Sequence, residues 1–234
     1  MRFAMKAAPC ALMLAAAVGC GVQDSVYYGT MERLGWHKRD LLTGRVEAAR
    51  DAQEEAKEEF QSALEEFSAV TEFEGGELGE VYRTLNRALE RSEARATAVE
   101  ERIDEVERVA QALFSEWQTE LDQFDNRELA RASEQRLDAT RQRYEDLYRA
   151  MRRAQSKIEP VLTPMRDQVL FLKHNLNARA IASIKGELSA IEIDVALLIE
   201  DMEAAMMEAD DFVEQMNQPV EIVPEPQPVP QAQG

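Results

Sequence analysis

Apolar positions recur in alternating steps of four and three along most of the chain. Leu42, Val46, Ala49, Gln53, Ala56, Phe60, Ala63, Phe67 and Val70 form one unbroken series. Leu78, Tyr82, Leu85, Leu89, Ser92, Ala96, Val99, Ile103, Val106, Ala110, Leu113 and Trp117 form a second. A mean step of 3.5 residues keeps each series on one narrow helical seam and predicts left-handed supercoiling against partner helices. Between them, Glu72-Phe73-Glu74-Gly75-Gly76-Glu77 offers paired glycines for a tight reversal. Two long helices joined by so short a loop pack antiparallel.

A second break is expected at Asp122-Gln123-Phe124-Asp125-Asn126. Asp125, with Glu128 three residues on, resembles a capping box for a third helix starting at Arg127. That helix carries Leu137, Thr140, Tyr144, Leu147, Met151, Ala154, Ile158 and Val161 in the same rhythm. Pro160 and Pro164 each remove a backbone donor and are expected to kink it. Beyond them Met165, Val169, Leu172, Leu176, Ala180, Ile184 and Leu188 include several consecutive steps of four. Regular heptads return with Ile191, Val195, Leu198, Met202, Ala205, Ala209 and Phe212.

Whether the chain reverses inside that disturbed stretch is the main question of topology. The apolar face passes through Leu176 without an obvious flip, which favours one continuous helix. Such a helix from Arg127 to Met216 would reach roughly 135 Å and outrun its partners. Asn175 and Asn177 have turn and cap chemistry, and a reversal there matches the second helix, about 68 Å long. The expected fold is therefore all-α, an elongated antiparallel coiled coil forming a four-helix bundle; without a turn near Asn175 it would have three long helices.

Charge refines the pairing. The 234-residue chain carries 27 basic and 45 acidic residues. Gly186 to Met216 holds ten acidic side chains and no Lys or Arg, whereas Arg127 to Lys157 holds nine basic residues against five acidic. The last helix should therefore lie beside the third, within one chain or between two. So acidic a surface argues against nucleic acid as a partner.

The two ends differ from this middle. Met1-Arg2-Phe3-Ala4-Met5-Lys6 is a basic start, and a short apolar run follows up to Cys20. This is the pattern of a secretory signal peptide, too short for a spanning helix. Ala17 and Gly19 before Cys20 resemble a bacterial lipobox, in which the thiol is acylated and becomes the new N-terminus. Ala15-Ala16-Ala17 would also suit ordinary signal cleavage, leaving Cys20 an incidental thiol. Removal of the signal takes Arg2, Lys6 and Cys10 with it, leaving 25 basic against 45 acidic residues, a net charge of −20, and one cysteine. One cysteine excludes an intramolecular disulfide and a cysteine-based metal site.

The expected organisation is thus a signal peptide at 1–19, a lipid-proximal tether at 20–36, a helical domain at 37–216 and a proline-rich tail at 217–234. Gly29, Gly35 and Gly44 make the tether region less regular. Tyr27, Tyr28 and Trp36, beside His37-Lys38-Arg39, suit either a headgroup layer or the packed end of the bundle. The tail holds five of the eight prolines and is expected to be extended.

Catalytic chemistry is sparse. His37 and His174 are the two histidines. His174 beside Asn175 and Asn177 is either a satisfied polar turn or the one candidate for a catalytic group. No phosphate loop, nucleophile elbow or His-Glu-x-x-His pair occurs. The acidic last helix lacks spaced oxygen ligands for a metal. No catalytic residue, cofactor, metal or small-molecule substrate is assigned.

Tyr27-Tyr28-Gly29, Met31-Glu32, Gly35 and His37-Lys38-Arg39-Asp40 resemble the start of an uncharacterised family of bacterial envelope lipoproteins, a domain of unknown function. The resemblance continues through Arg45-Val46-Glu47, Ala52 to Lys57, Phe73 with Gly75-Gly76, and Ser92 to Ala96. It is most specific from Asp167 to Ala178. It spans roughly Tyr27 to Phe212 and implies a helical, envelope-located protein without implying an activity.

These readings lead to one expectation and two rivals. The expected protein is a structural or adaptor component of the cell envelope, anchored through Cys20 and meeting a protein partner or its own copies through helical faces. Gly21, rather than aspartate, after Cys20 points to the outer membrane and a periplasm-facing bundle. A coiled coil that remodels membranes or serves envelope stress is the alternative, and an enzyme with a site near His174 comes third.

Overall fold

A computed structural model of the protein describes residues 23–72, 75 and 77–218, with side chains from Lys38 onward. Among the described residues five α-helices follow one another: α1 (Gln23–Ala69), α2 (Leu78–Leu121), α3 (Arg127–Ser156), α4 (Ile158–His174) and α5 (Ala178–Asn217). No strand occurs among the described residues. A single 3-10 turn, Val70–Glu72, extends α1 into the first loop. There Gly75 has φ of 143°, a conformation that costs little only without a Cβ.

The helices make four arms, because α3 and α4 are two segments of one. α1 packs on α2 and α5, and the α3/α4 arm packs on the same two helices, which closes a ring of four. Lys38 pairs with Glu116 while Arg91 pairs with Glu59, so α1 and α2 run antiparallel. At 1.5 Å per residue all four arms are about 60 to 72 Å long. Matched lengths leave no long stretch of seam without a partner.

The heptad series are the core. Every member of the α1 series from Leu42 to Val70 is buried, as is every member from Leu137 to Val161. Phe60, Phe67, Leu85, Ile103, Leu147, Met165, Leu172 and Ile184 have no exposed surface. Core burial of this kind contributes roughly 1.5–3 kcal/mol per large side chain. Gln53 sits in the α1 seam, fully buried, and neither end of its amide has a partner. The buried hydroxyl of Ser92 is unpaired as well.

The chain does reverse after His174. α4 ends there, and Asn177, extended at φ −151° and ψ 172°, accepts a 2.9 Å hydrogen bond from the Arg179 amide to start α5. Leu176, which had argued for continuity, lies in the turn and is 51% exposed. Its place in the apolar pattern is a coincidence of spacing across a break.

Three local expectations need correction. The third helix begins at Arg127, but Asn126 caps it rather than Asp125: its Oδ1 accepts from Glu128 and Leu129 at 2.9 and 3.3 Å. The arm is interrupted at Lys157, ahead of both prolines. Pro160 cannot donate to the carbonyl four residues back, that of Ser156, and its ring crowds that carbonyl, so the ladder fails there. Pro164 lies inside a continuous α4. The backbone of the stretch expected to be an irregular tether is helical from Gln23, and its glycines are absorbed into α1. Cys20, Gly21, the signal segment, the side chains of Tyr27, Tyr28, Trp36 and His37, and the tail beyond Gln218 lie outside the described residues.

Candidate functional site

α5 is covered on two sides only, by α1 and by the α3/α4 arm. Its inner seam, Ile184, Ile191, Val195, Leu198, Met202, Ala205, Ala209 and Phe212, is buried between them. A second seam of the same four-three spacing runs along its outer side: Gly186, Ala190, Ile193, Leu197, Glu200, Ala204, Met207 and Asp211. Ile193 is 61% exposed, Leu197 44% and Met207 69%. Gly186 opens onto free space, with nothing within 4 Å of a Cβ built there. Ile193 and Leu197, one turn apart, form an adjacent apolar pair, and the small residues on either side let another backbone approach.

The acids of α5 divide into two groups. Asp201 pairs with Arg153 of α3 at 2.9 Å, Asp210 with Arg50 of α1 at 2.7 Å and Glu203 with Lys57 of α1 at 3.6 Å. The first pair lies where the last helix runs beside the third, as its charge predicted, and the other two stitch it to α1. The other seven, Glu187, Glu192, Asp194, Glu200, Glu208, Asp211 and Glu214, form no ion pair among the described residues. The outer seam is therefore heptad-spaced and apolar from Ala190 to Leu197 and at Ala204 and Met207, with unmatched negative charge beside it and, at Glu200 and Asp211, within it.

Most basic side chains of α3 turn elsewhere. Arg152 reaches across to α2, donating to Asp104 at 2.6 Å and Glu107 at 3.2 Å, and lies over the Tyr148 ring. Burial opposes its charge, but bonds to Tyr148 and Asp104 outweigh that and raise its pKa. Tyr148 in turn donates to Glu107 at 2.6 Å. Phe114 meets Tyr144 edge to face at 5.4 Å, Tyr144 stacks on Tyr148 at 5.7 Å, and burial pushes the Tyr144 phenol well up. This cluster locks α3 to α2, with Arg152 and the Tyr148 hydroxyl both bonded to acids or to each other.

His174 is exposed on the last turn of α4. Beside it, the Asn175 amide nitrogen donates to the carbonyl of Phe171 at 3.0 Å, and Asn177 caps α5. The polar cluster read from the sequence is thus a turn, at the end of the bundle away from the start of α1. Among the described residues no group of three or more His, Cys, Asp or Glu side chains is placed to hold a metal ion. No described helix is long and apolar enough to cross a membrane. The α5 face escaped sequence reasoning because the inner series explained the helix by itself. The signal was present: an independent run of heptad steps offset by two residues from the first.

Comparison with known proteins is narrow. A family model described as a protein of unknown function, DUF2959, matches residues 27–216. No curated protein matches the chain.

Proposed function

The chain belongs to the DUF2959 family, which carries no assigned activity, and we propose its role from its own geometry: a lipid-anchored adaptor of the bacterial cell envelope, tethered through Cys20 and binding a protein partner on the outer face of α5. The basic start, short apolar run and Cys20 support the anchor, and two or more acyl chains would make it stable. Gly21 after Cys20 supports the outer membrane, with the bundle facing the periplasm. The four matched arms support a rigid spacer rather than an enclosed active site.

The observation that carries the adaptor reading is the exposed apolar seam of α5. Scattered apolar residues on a surface are ordinary, but heptad spacing makes this set a ready half of a coiled coil. Seven unmatched carboxylates along it select the partner. A second α5 would bring like charges together, so the fitting occupant is a helix with its own apolar seam flanked by Lys or Arg.

Two measurements test the proposal. Cys20→Ser should release the protein from membranes; retention on membranes in high salt overturns the anchor. A photoreactive residue at Ile193 or Leu197 in living cells should crosslink to a basic-flanked helix of another protein, while one at exposed Glu101 on α2 should not. Crosslinks to α5 of a second copy would replace the adaptor with a self-assembling bundle, and equal yields at all three positions would remove the site.

A further inference from the structure

A cleft of about 220 Å³ opens where α5 stops, between α1, α3 and the last turn of α5. Arg39, Arg136 and Arg143 line it, with Thr140, Phe212 and Gln215 beside them. Arg39 stands three residues before Leu42, at the next step of α1's inner seam, so the helix aims it toward the bundle axis rather than into solvent. Its guanidinium carbon lies 4.3 Å from the centroid of the Trp117 ring. That contact offsets part of its desolvation but supplies no counter-charge.

None of the three arginines forms an ion pair among the described residues. Lys38, the neighbour of Arg39, is taken by Glu116 at 2.6 Å. Glu120 attracts Arg39 from beyond ion-pair distance, while burial and the charge of Arg136 lower the Arg39 pKa. On the opposite wall the Gln215 Oε1 is buried and has no partner. In a chain of net charge −18, three guanidinium groups with no ion pair among the described residues share one cleft with an orphan acceptor.

We propose that this cleft binds a phosphate group. Planar guanidinium donors match phosphate oxygens, and three of them fit a tetrahedral group better than a two-oxygen carboxylate. Gln215 accepts from a protonated phosphate oxygen or an adjacent hydroxyl. The volume is below the 300–1,000 Å³ or so of sites for drug-sized ligands, so a headgroup or inorganic phosphate fits and a nucleotide does not. The N-terminal part of α1 lies at this end of the bundle, and on the anchored reading above that makes a lipid headgroup and free phosphate the two sources.

Trp117 reports on the cleft directly. The chain from residue 20 onward, made as Cys20→Ser and Trp36→Phe, keeps Trp117 as its one tryptophan. Its emission is titrated with inorganic phosphate and separately with dihexanoyl phosphatidic acid below its micelle concentration, at constant ionic strength set with chloride. A saturable change is expected, weakened about tenfold or more by Arg143→Gln, whose exposed side chain leaves the core untouched. Arg39→Gln should weaken it further. Tighter binding of the lipid identifies the source as a headgroup, and equal binding identifies the phosphate group alone. No saturable change with either phosphate, or unchanged affinity in both arginine variants, overturns the proposal. Ile193→Glu should leave the titration unaltered, so the cleft and the α5 face stand or fall separately.

Discussion

The two seams of α5 have the same spacing and opposite fates. On the inner side Ile184, Ile191, Leu198 and Met202 lose all contact with solvent, while on the outer side Ile193 and Met207 keep more than half of theirs and Leu197 slightly less than half. Heptad spacing therefore determines which residues share a line along a helix. It does not determine whether that line is covered, because coverage depends on how many neighbours the ring of four arms supplies. Each arm has two neighbours, and on α5 the apolar surface is wider than two neighbours can hide.

The largest test of this contrast compares adjacent leucines. Leu198→Ala should lower the free energy of unfolding by about 2–5 kcal/mol through lost burial and a residual cavity. Leu197→Ala, one position away, should change it by about 0.5 kcal/mol or less. Urea unfolding of both variants measures the difference, and equal losses would mean that the outer seam is covered in the isolated protein.

A second comparison sharpens what the inner seam requires. Gln53 occupies a fully buried seam position with an unpaired amide. Gln53→Leu should raise stability by about 1–2 kcal/mol, since an unsatisfied buried polar group is replaced by an apolar one of similar size. A fall in stability would show that the amide is satisfied by water. Retention of Gln at a stability cost is consistent with register control, the role of single polar residues in coiled-coil seams.

The smallest effect lies at the open end of the bundle. Burial and the nearby Glu116 raise the pKa of Glu120, against the opposing pull of Lys38 and Arg39. The folded protein then holds that proton more tightly than the unfolded chain, so this group's contribution to stability falls as pH rises through the window between the two pKa values. Above the folded value the cost is fully present; below the ordinary glutamate value it is gone. Glu120→Gln should therefore stabilise the protein at neutral pH by about 0.5 kcal/mol or less, and by nothing in strong acid. Thermal unfolding at the two pH values checks the sign.

Much of the architecture was legible because it follows from repetition. The series through α1 and α3 consist of buried residues, that of α2 includes the partly buried Leu78, Tyr82 and Ala96 and misses buried Ala88 and Phe114, and matched arm lengths anticipated the reversal after His174. Local chemistry was less legible. Asp125 and Asn126 are both competent caps, and only the backbone geometry at Asn126 selects between them. Pro160 announced a disturbance, but the break appears at Lys157, because a proline acts on the carbonyl four residues before it. Nothing local marked Leu176 as exposed, since its spacing fits a seam that the turn interrupts.

The sequence by itself determined that the chain is helical, which residues line each seam, within a few residues where the arms are interrupted, and that the last helix is acidic from Glu187 onward. These depend on short-range periodicity and on backbone chemistry that each residue carries with it. The tertiary structure alone decided which seams are covered, which acids of α5 are matched, and that Arg39, Arg136 and Arg143 face one cleft. Those residues lie about a hundred positions apart, or on sides of a helix that spacing treats alike. Only the closing of four arms into a ring gives each of them a neighbour or leaves it without one.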